Sequence, residues 1–175
     1  MKLKGKKIAV LAGEIYEDLE LWYPYYRLLE EGATVVRVGV DGGPAAVKSK
    51  HGYEVPVDLP AGQARAEEFD AVIVPGGYSP DHLRRCRGVI GLTKKVFERG
   101  KLVAFICHGG WVPASAEILR GKKVTSFFAI KDDLVHAGAE WSDAEVVIDG
   151  NLVSSRKPAD LPAFMRAVIE WLEKN

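Results

Sequence analysis

Cysteine is scarce in this chain: Cys86 and Cys107 are the only two among 175 residues. Two thiols cannot build a multi-bridge framework, and neither shares with a histidine the spacing of a zinc site, so no metal and no cofactor is expected. No apolar run approaches the roughly 20 residues that a membrane-spanning helix needs. An excess of one charge is missing too. Lys+Arg and Asp+Glu both number 24, so the formal net charge is zero, which leaves no electrostatic footprint for nucleic acid or an acidic membrane. The patterns G-x-x-x-x-G-K-[ST] and G-x-G-x-x-G are absent, which argues against a nucleotide binder. There is no internal repeat, low-complexity tract or interdomain linker, so a single domain over residues 1–175 is expected. The opening "MKLKGKKIAVLAGE" sets basic residues before an apolar run. That run, Ile8–Ala12, is too short for a signal peptide, and Glu14, Glu17 and Asp18 follow at once. It reads as a first strand, and a cytoplasmic location is expected.

What is present is a regular alternation. "KKIAVLAG", "TVVRVGVD", "FDAVIVPGG", "KLVAFIC" and "KKVTSFF" read as strands, most of them buried on both faces. Helical patterns lie between them. "EDLELWYPYYRLLEEG" places Leu19, Trp22, Tyr23, Tyr26 and Leu29 on one apolar face, with a bend or a late start at Pro24 and a stop at Gly32. "HLRRCRGVIGLTKKVFERG" is helical with a break around Gly88 to Gly91, and "WVPASAEILRG" and "AIKDDLVHAGA" are helices. "KSKHGYEVPVDLP" suggests short edge strands, "AEVVIDGNLVSSR" a hairpin, and "PADLPAFMRAVIEWLEKN" a closing helix begun near Pro158. Strands alternating with helices predict an α/β fold: a mostly parallel sheet with helices on both faces. Sites in such folds gather beyond the carboxyl ends of the strands. Three strand ends therefore stand out: Gly13 to Glu20, Pro75 to Asp81, and Cys107 to Trp111.

At the last of these, a buried strand turns sharply into a helix at Cys107-His108-Gly109-Gly110. A thiol at a helix N-terminus meets a positive dipole end and free N–H groups, which lower its pKa. Buried cysteines are also common as inert packing, and on spacing alone the two readings balance. His108 can be a general base for the thiol or a capping residue. Gly109 and Gly110 allow close approach of backbone or substrate. Gly76 and Gly77 could offer N–H groups to an oxyanion, or simply turn the chain. Asp81 is either a helix cap or an acid that orients an imidazole. Glu14, Glu17, Asp18 and Glu20 suit a helix start, and one of them aimed at the thiol would act according to its protonation. Trp111 walls a pocket or packs. Cys86, among arginines in "RRCR", reads as structural.

Taken together, "EDLELWYPYYRLLEEG", "KHGYEVPVDL", "FDAVIVPGG", "FICHG", "IKDDLVHAGAEW" and "AEVVIDGNLVSSRKPADLPAFM" resemble the ThiJ/PfpI superfamily, its PfpI intracellular-protease branch most closely. The resemblance covers nearly the whole chain. It implies a flavodoxin-like three-layer sandwich with a nucleophile elbow at Cys107, related to the class I glutamine amidotransferase fold. It makes His108 the histidine after the nucleophile and Glu20 the acid that hydrogen-bonds it. Asp81 becomes the acid reaching the histidine of a neighbouring subunit, and Gly77 and His108 the oxyanion donors. An acid given across an interface implies a homodimer or hexamer. The sequence departs from the family pattern at Gly110, Trp111 and Phe127, all pocket positions, and Asp81 is one methylene shorter than the glutamate common in that branch.

Two functions are expected on this basis. The first is a cysteine hydrolase acting on carbonyl or acyl groups, of deglycase, glyoxalase-like or peptidase type, with a small carbonyl or peptide substrate. The second is an oxidative-stress sensor or holdase using an oxidisable Cys107 without turnover. A glutamine amidotransferase is disfavoured, because no His-x-Glu comes after the cysteine.

Overall fold

The computed structural model describes all 175 residues. The chain runs β1 (Lys7–Leu11), α1 (Asp18–Glu30), β2 (Thr34–Gly39), β3 (Ala46–Lys48), β4 (Glu54–Pro56), β5 (Leu59–Pro60) and β6 (Ala71–Val74). It continues through α2 (Ser79–Leu83), α3 (Arg87–Glu98), β7 (Leu102–Ile106), α4 (Trp111–Ser115), β8 (Lys123–Val124) and α5 (Lys131–His136). It ends with β9 (Glu140–Trp141), β10 (Val146–Asp149), β11 (Leu152–Ser155) and α6 (Leu161–Lys174). Seven strands form one sheet in the order β10-β11-β7-β6-β1-β2-β5. All neighbours are parallel except β10 and β11, whose hairpin turns through Gly150 at φ 60°. The unbroken apolar segments become the middle of this sheet, where β6 and β7 are buried at every residue.

The strand period of two sends alternate residues to opposite faces. Ile8, Val10, Ile73, Ala104 and Ile106 pack under α1 and α6. Ala9, Leu11, Val72, Val74 and Phe105 pack under α3, α4 and α5. The result is the expected three-layer α/β sandwich. Strand order reverses at β1, which has β2 on one side and β6 on the other. A crevice opens beyond strand ends at such a reversal, and Gly13, Pro75 and Cys107 all lie there.

Three local expectations need correction. The apolar face of α1 is not the one that meets the sheet. Leu21, Pro24 and Leu28 are buried, while Leu19, Tyr26 and Leu29 are exposed. The rings of Trp22, Tyr25 and Tyr26 pack instead on one another along the outer side. The helix also starts before Pro24, which lies inside it without breaking it. The break between α2 and α3 falls at Cys86, which is extended (φ −90°, ψ 117°) and precedes α3 without a side-chain capping bond. Gly88 and Gly91 lie inside α3; a Cβ at Gly88 would stand 2.2 Å from Asp41 Oδ2, so glycine there serves contact and not a bend. Finally, α4 stops at Ser115, because Glu117 takes a left-handed conformation (φ 59°) and no helix reaches Gly121.

The corrected face of α1 makes a direct prediction. Leu28→Ala should cost about 2–5 kcal/mol in urea unfolding, as for other buried leucines. Leu29→Ala should change stability by no more than about 0.5 kcal/mol.

Candidate active site

Cys107 sits at φ 61°, a left-handed conformation for a residue with a Cβ, at a cost of about 1–2 kcal/mol. The strain is imposed by packing on both sides. β7 is fixed in the sheet, and the 3₁₀ turn Cys107–Gly110 must fold back over β6. A Cβ on Gly109 would stand 2.5 Å from the Val74 carbonyl oxygen, and one on Gly110 3.0 Å from Leu134. These two glycines are therefore packing residues and not pocket walls, contrary to the sequence expectation. The elbow lifts the thiol above the sheet edge, where Cys107 remains 8% exposed.

Four groups converge on that thiol. The backbone N–H groups of His108 and Gly77 lie close enough to the sulfur to favour its anion. His108 Nδ1 lies 3.3 Å from Sγ, so the adjacent imidazole does face its neighbour. Its ring is stacked on Phe127, with centroids 5.2 Å apart, and meets Trp111 edge-on. Burial lowers the His108 pKa, leaving a neutral ring at pH 7 that can accept a proton. The fourth group is Glu20, completely buried in the first turn of α1. Its Oε2 accepts from the Gly76 N–H at 2.8 Å, and its carboxyl interacts with the thiol. Its Oε1 has no hydrogen-bond partner of ordinary geometry. Gly76 is the spacer here, since a Cβ would stand 2.4 Å from Glu20 Oε2 and 2.7 Å from Cys107 Cβ.

Burial, and then the charge of Glu17, push the Glu20 pKa up to about 8. At neutral pH Glu20 is a carboxylic acid that can donate to the thiolate. Burial, and then the charge of an ionised Glu20, push the thiol up to about 12. The expectation of a thiol lowered by a helix dipole therefore fails. Cys107 leads into a 3₁₀ turn and the five-residue α4, too short for a strong dipole. The thiolate instead depends on the two N–H groups and on Glu20 staying protonated, which removes the repulsion. The two groups titrate as a pair.

Of the four acids at the first strand end, Glu20 alone reaches the thiol, and Glu17 lines the cavity above it. Glu17 caps α1 by accepting from the Glu20 N–H at 2.9 Å, Glu14 accepts from the Lys48 N–H, and Asp18 pairs with His51. The loop carrying them is tied to the neighbouring turn, with Tyr78 N–H donating to the Ile15 carbonyl and Glu17 N–H to the Gly76 carbonyl. Gly77 holds φ 74°, where a Cβ would come within 2.5 Å of the Glu17 nitrogen. Asp81 is not brought to the thiol by its own chain. It lies in α2 and pairs with Arg85, and His108 has no carboxylate hydrogen-bond partner. Trp111 stands behind His108 and donates from Nε1 to Asp133 at 2.7 Å. The cavity over the thiol, about 390 Å³, is lined also by Glu17 and Tyr78, from the first two converging strand ends, and by Lys50, Lys157 and Pro158, which the sequence reading did not place there. Lys157 and Pro158 closely follow the end of β11, so extending the strand-end rule to that last strand would have found them. Lys50 arrives from the turn between β3 and β4, which carries no such signal.

The Glu20 shift sets a pH dependence. Below pH 4.5 the acid is protonated folded or unfolded. Between about pH 4.5 and 8 only the folded state keeps the proton, so stability falls as pH rises through that window. Glu20→Gln cannot ionise. Its stability relative to the parent should therefore rise between pH 5 and 8, by on the order of a few kcal/mol in paired urea melts.

The DJ-1/PfpI family profile matches residues 6–171. The deglycase PH1704 of Pyrococcus horikoshii is 48% identical over 167 residues, covering 95% of this chain and 99% of the relative. The deglycase PfpI of Pyrococcus furiosus is 46% identical with the same coverage. Among solved structures, Drosophila melanogaster DJ-1beta superposes with a TM-score of 0.90 at 28% identity, covering 98% of this chain and 92% of that one. A two-domain protein with DJ-1/ThiJ/PfpI-like and ferritin-like domains from Anabaena variabilis superposes with a TM-score of 0.92 at 40% identity, over 95% of this chain and 48% of that chain. With matches that run almost from end to end and a fold that agrees with the expected sandwich, the chain belongs to the DJ-1/PfpI family.

Proposed function

We propose that the protein is a cysteine hydrolase acting on carbonyl groups, in the manner the deglycase names of its relatives suggest. The observation that carries this reading is the strained Cys107 elbow, whose thiol faces two N–H donors, a neutral imidazole and a buried carboxyl at once. Cys107 gives its proton to His108 Nδ1 and attacks an aldehyde carbon, forming a hemithioacetal. The new oxyanion accepts from the Gly77 and His108 N–H groups. With a 2-oxoaldehyde, a proton shift between the two carbons, carried by His108, converts the hemithioacetal to a thioester. Water then releases a 2-hydroxy acid and restores the thiol. With a glycated amine or thiol, the adduct's hydroxyl proton passes to the departing amine or thiol as the C–N or C–S bond breaks, and Cys107 attacks the aldehyde so released. A cavity of about 390 Å³ suits small carbonyl compounds and side-chain adducts better than folded polypeptide.

Assembly enters the same reading. His108 lacks an acid from its own chain, and the outer side of α1 leaves Leu19, Tyr26 and, beside them, Tyr53 exposed. Both features support self-association, with Asp81 reaching the His108 of a second subunit.

Cys107→Ala and Cys107→Ser should each abolish lactate formation from methylglyoxal, and surviving turnover in either would reject Cys107 as the nucleophile. Absence of turnover in the parent, together with a gain of two oxygens on Cys107 after mild peroxide, would favour the redox sensor.

A further inference from the structure

Two lysines stand in the wall of the thiol cavity, and the steps above use neither. Lys50 lies at the turn of the β3–β4 hairpin, with Nζ 3.5 Å from Glu17 Oε1. Lys157 enters from the opposite end of the chain, as the extended residue before the turn into α6. It forms no ion pair. Two acids of this region, Asp143 and Asp160, are already engaged by Arg156, at 2.7 Å and 2.8 Å. Of the other walls, Phe127 and Pro158 have no side-chain donor, Tyr78 offers an uncharged hydroxyl, and the N–H groups beside the thiol serve the reacting atom.

Charge can be counted around the cavity. Glu17 and Lys50 offset each other. Glu20 is protonated and His108 neutral at pH 7. The remaining charge is that of Lys157, positive and uncompensated, at the mouth of a cleft with aromatic walls. Low-dielectric walls strengthen such a field over its value in open water.

We infer that Lys157, in the wall of this cavity, is a specificity residue that selects carbonyl substrates bearing an anionic group, in the simplest case a carboxylate, near the reacting carbon. The inference rests on Cys107 being the nucleophile. Lys157 forms no bond to the reacting atoms; it orients and holds the anionic end while the thiol meets the carbonyl.

Alkylation reads this preference without any turnover. Iodoacetate and iodoacetamide are attacked by the same thiolate, and only the first carries a carboxylate. The ratio of their rate constants at Cys107 therefore cancels the thiolate fraction and reports the field at the cavity mouth. In a Cys86→Ser background at low salt, Lys157→Gln should lower the iodoacetate-to-iodoacetamide ratio by about three- to tenfold. Lys157→Arg should keep the ratio within about twofold of the parent, and high salt should shrink the difference between Lys and Gln. An equal ratio in the parent and Lys157→Gln overturns the inference, as does a fall of the same size in Lys157→Arg. Methylglyoxal turnover is measured separately on the same proteins. Its absence would count against the hydrolase reading, and the alkylation ratio would still decide the anion preference.

Discussion

Glu20 reaches from the first turn of α1 into the space between the Gly76 N–H and the Cys107 thiol, and it does so fully buried. A carboxyl in that position cannot be charged cheaply, so it holds its proton to about pH 8. That proton in turn makes it a donor to a neighbouring anion instead of a repelling charge. The glycine at 76 is required for the contact, because any Cβ would occupy the space of both groups. The left-handed Cys107, the glycine turn after β6 and the start of α1 are three separate pieces of chain. They share one small volume, and the surroundings of the thiol depend on all three keeping to it.

The sheet supplies the rigidity for this. β1, β6 and β7 are adjacent and parallel, so their carboxyl ends deliver three loops to one place. The loops are then fastened to one another by backbone. Tyr16 bridges Gly77 on one side and Ser49 on the other, so the β3–β4 hairpin is tied to the same rim. This is how a residue as remote as Lys50 becomes part of the cavity. Strain at Cys107 is tolerable because everything around it is fixed.

Much of this arrangement is legible in the sequence, and the limits are physical. The sandwich is implied by apolar runs too regular to be anything but buried parallel strands. The elbow is implied by a buried run meeting Cys-His-Gly-Gly, since few other geometries suit that composition. Glu20 cannot be separated from Glu14, Glu17 and Asp18 by spacing, because all four suit a helix start; only the family resemblance singles it out. Gly109 and Gly110 are misplaced because a glycine needed for substrate and one needed for packing look the same in sequence. The outward face of α1 is misread for a related reason. Its aromatics satisfy one another along the helix, and apolar periodicity does not say which of two apolar stripes meets the sheet. Lys157 escapes notice because an exposed lysine after a strand is ordinary until the cavity beside it is seen.

The β10–β11 hairpin closes the sheet by laying β11 parallel against β7, some fifty residues back along the chain. Closing a loop of that length costs chain entropy that the pairing must offset. Lys157 is anchored immediately beyond β11, so the cavity gains its last wall only when that pairing is made. The strain at Cys107 and the carboxyl beside it come from β6, β7 and α1, so the last strand adds a wall to a site whose centre is set elsewhere. The cavity around this one sulfur is thus a product of the completed topology, with one wall supplied from just beyond the last strand of the sheet.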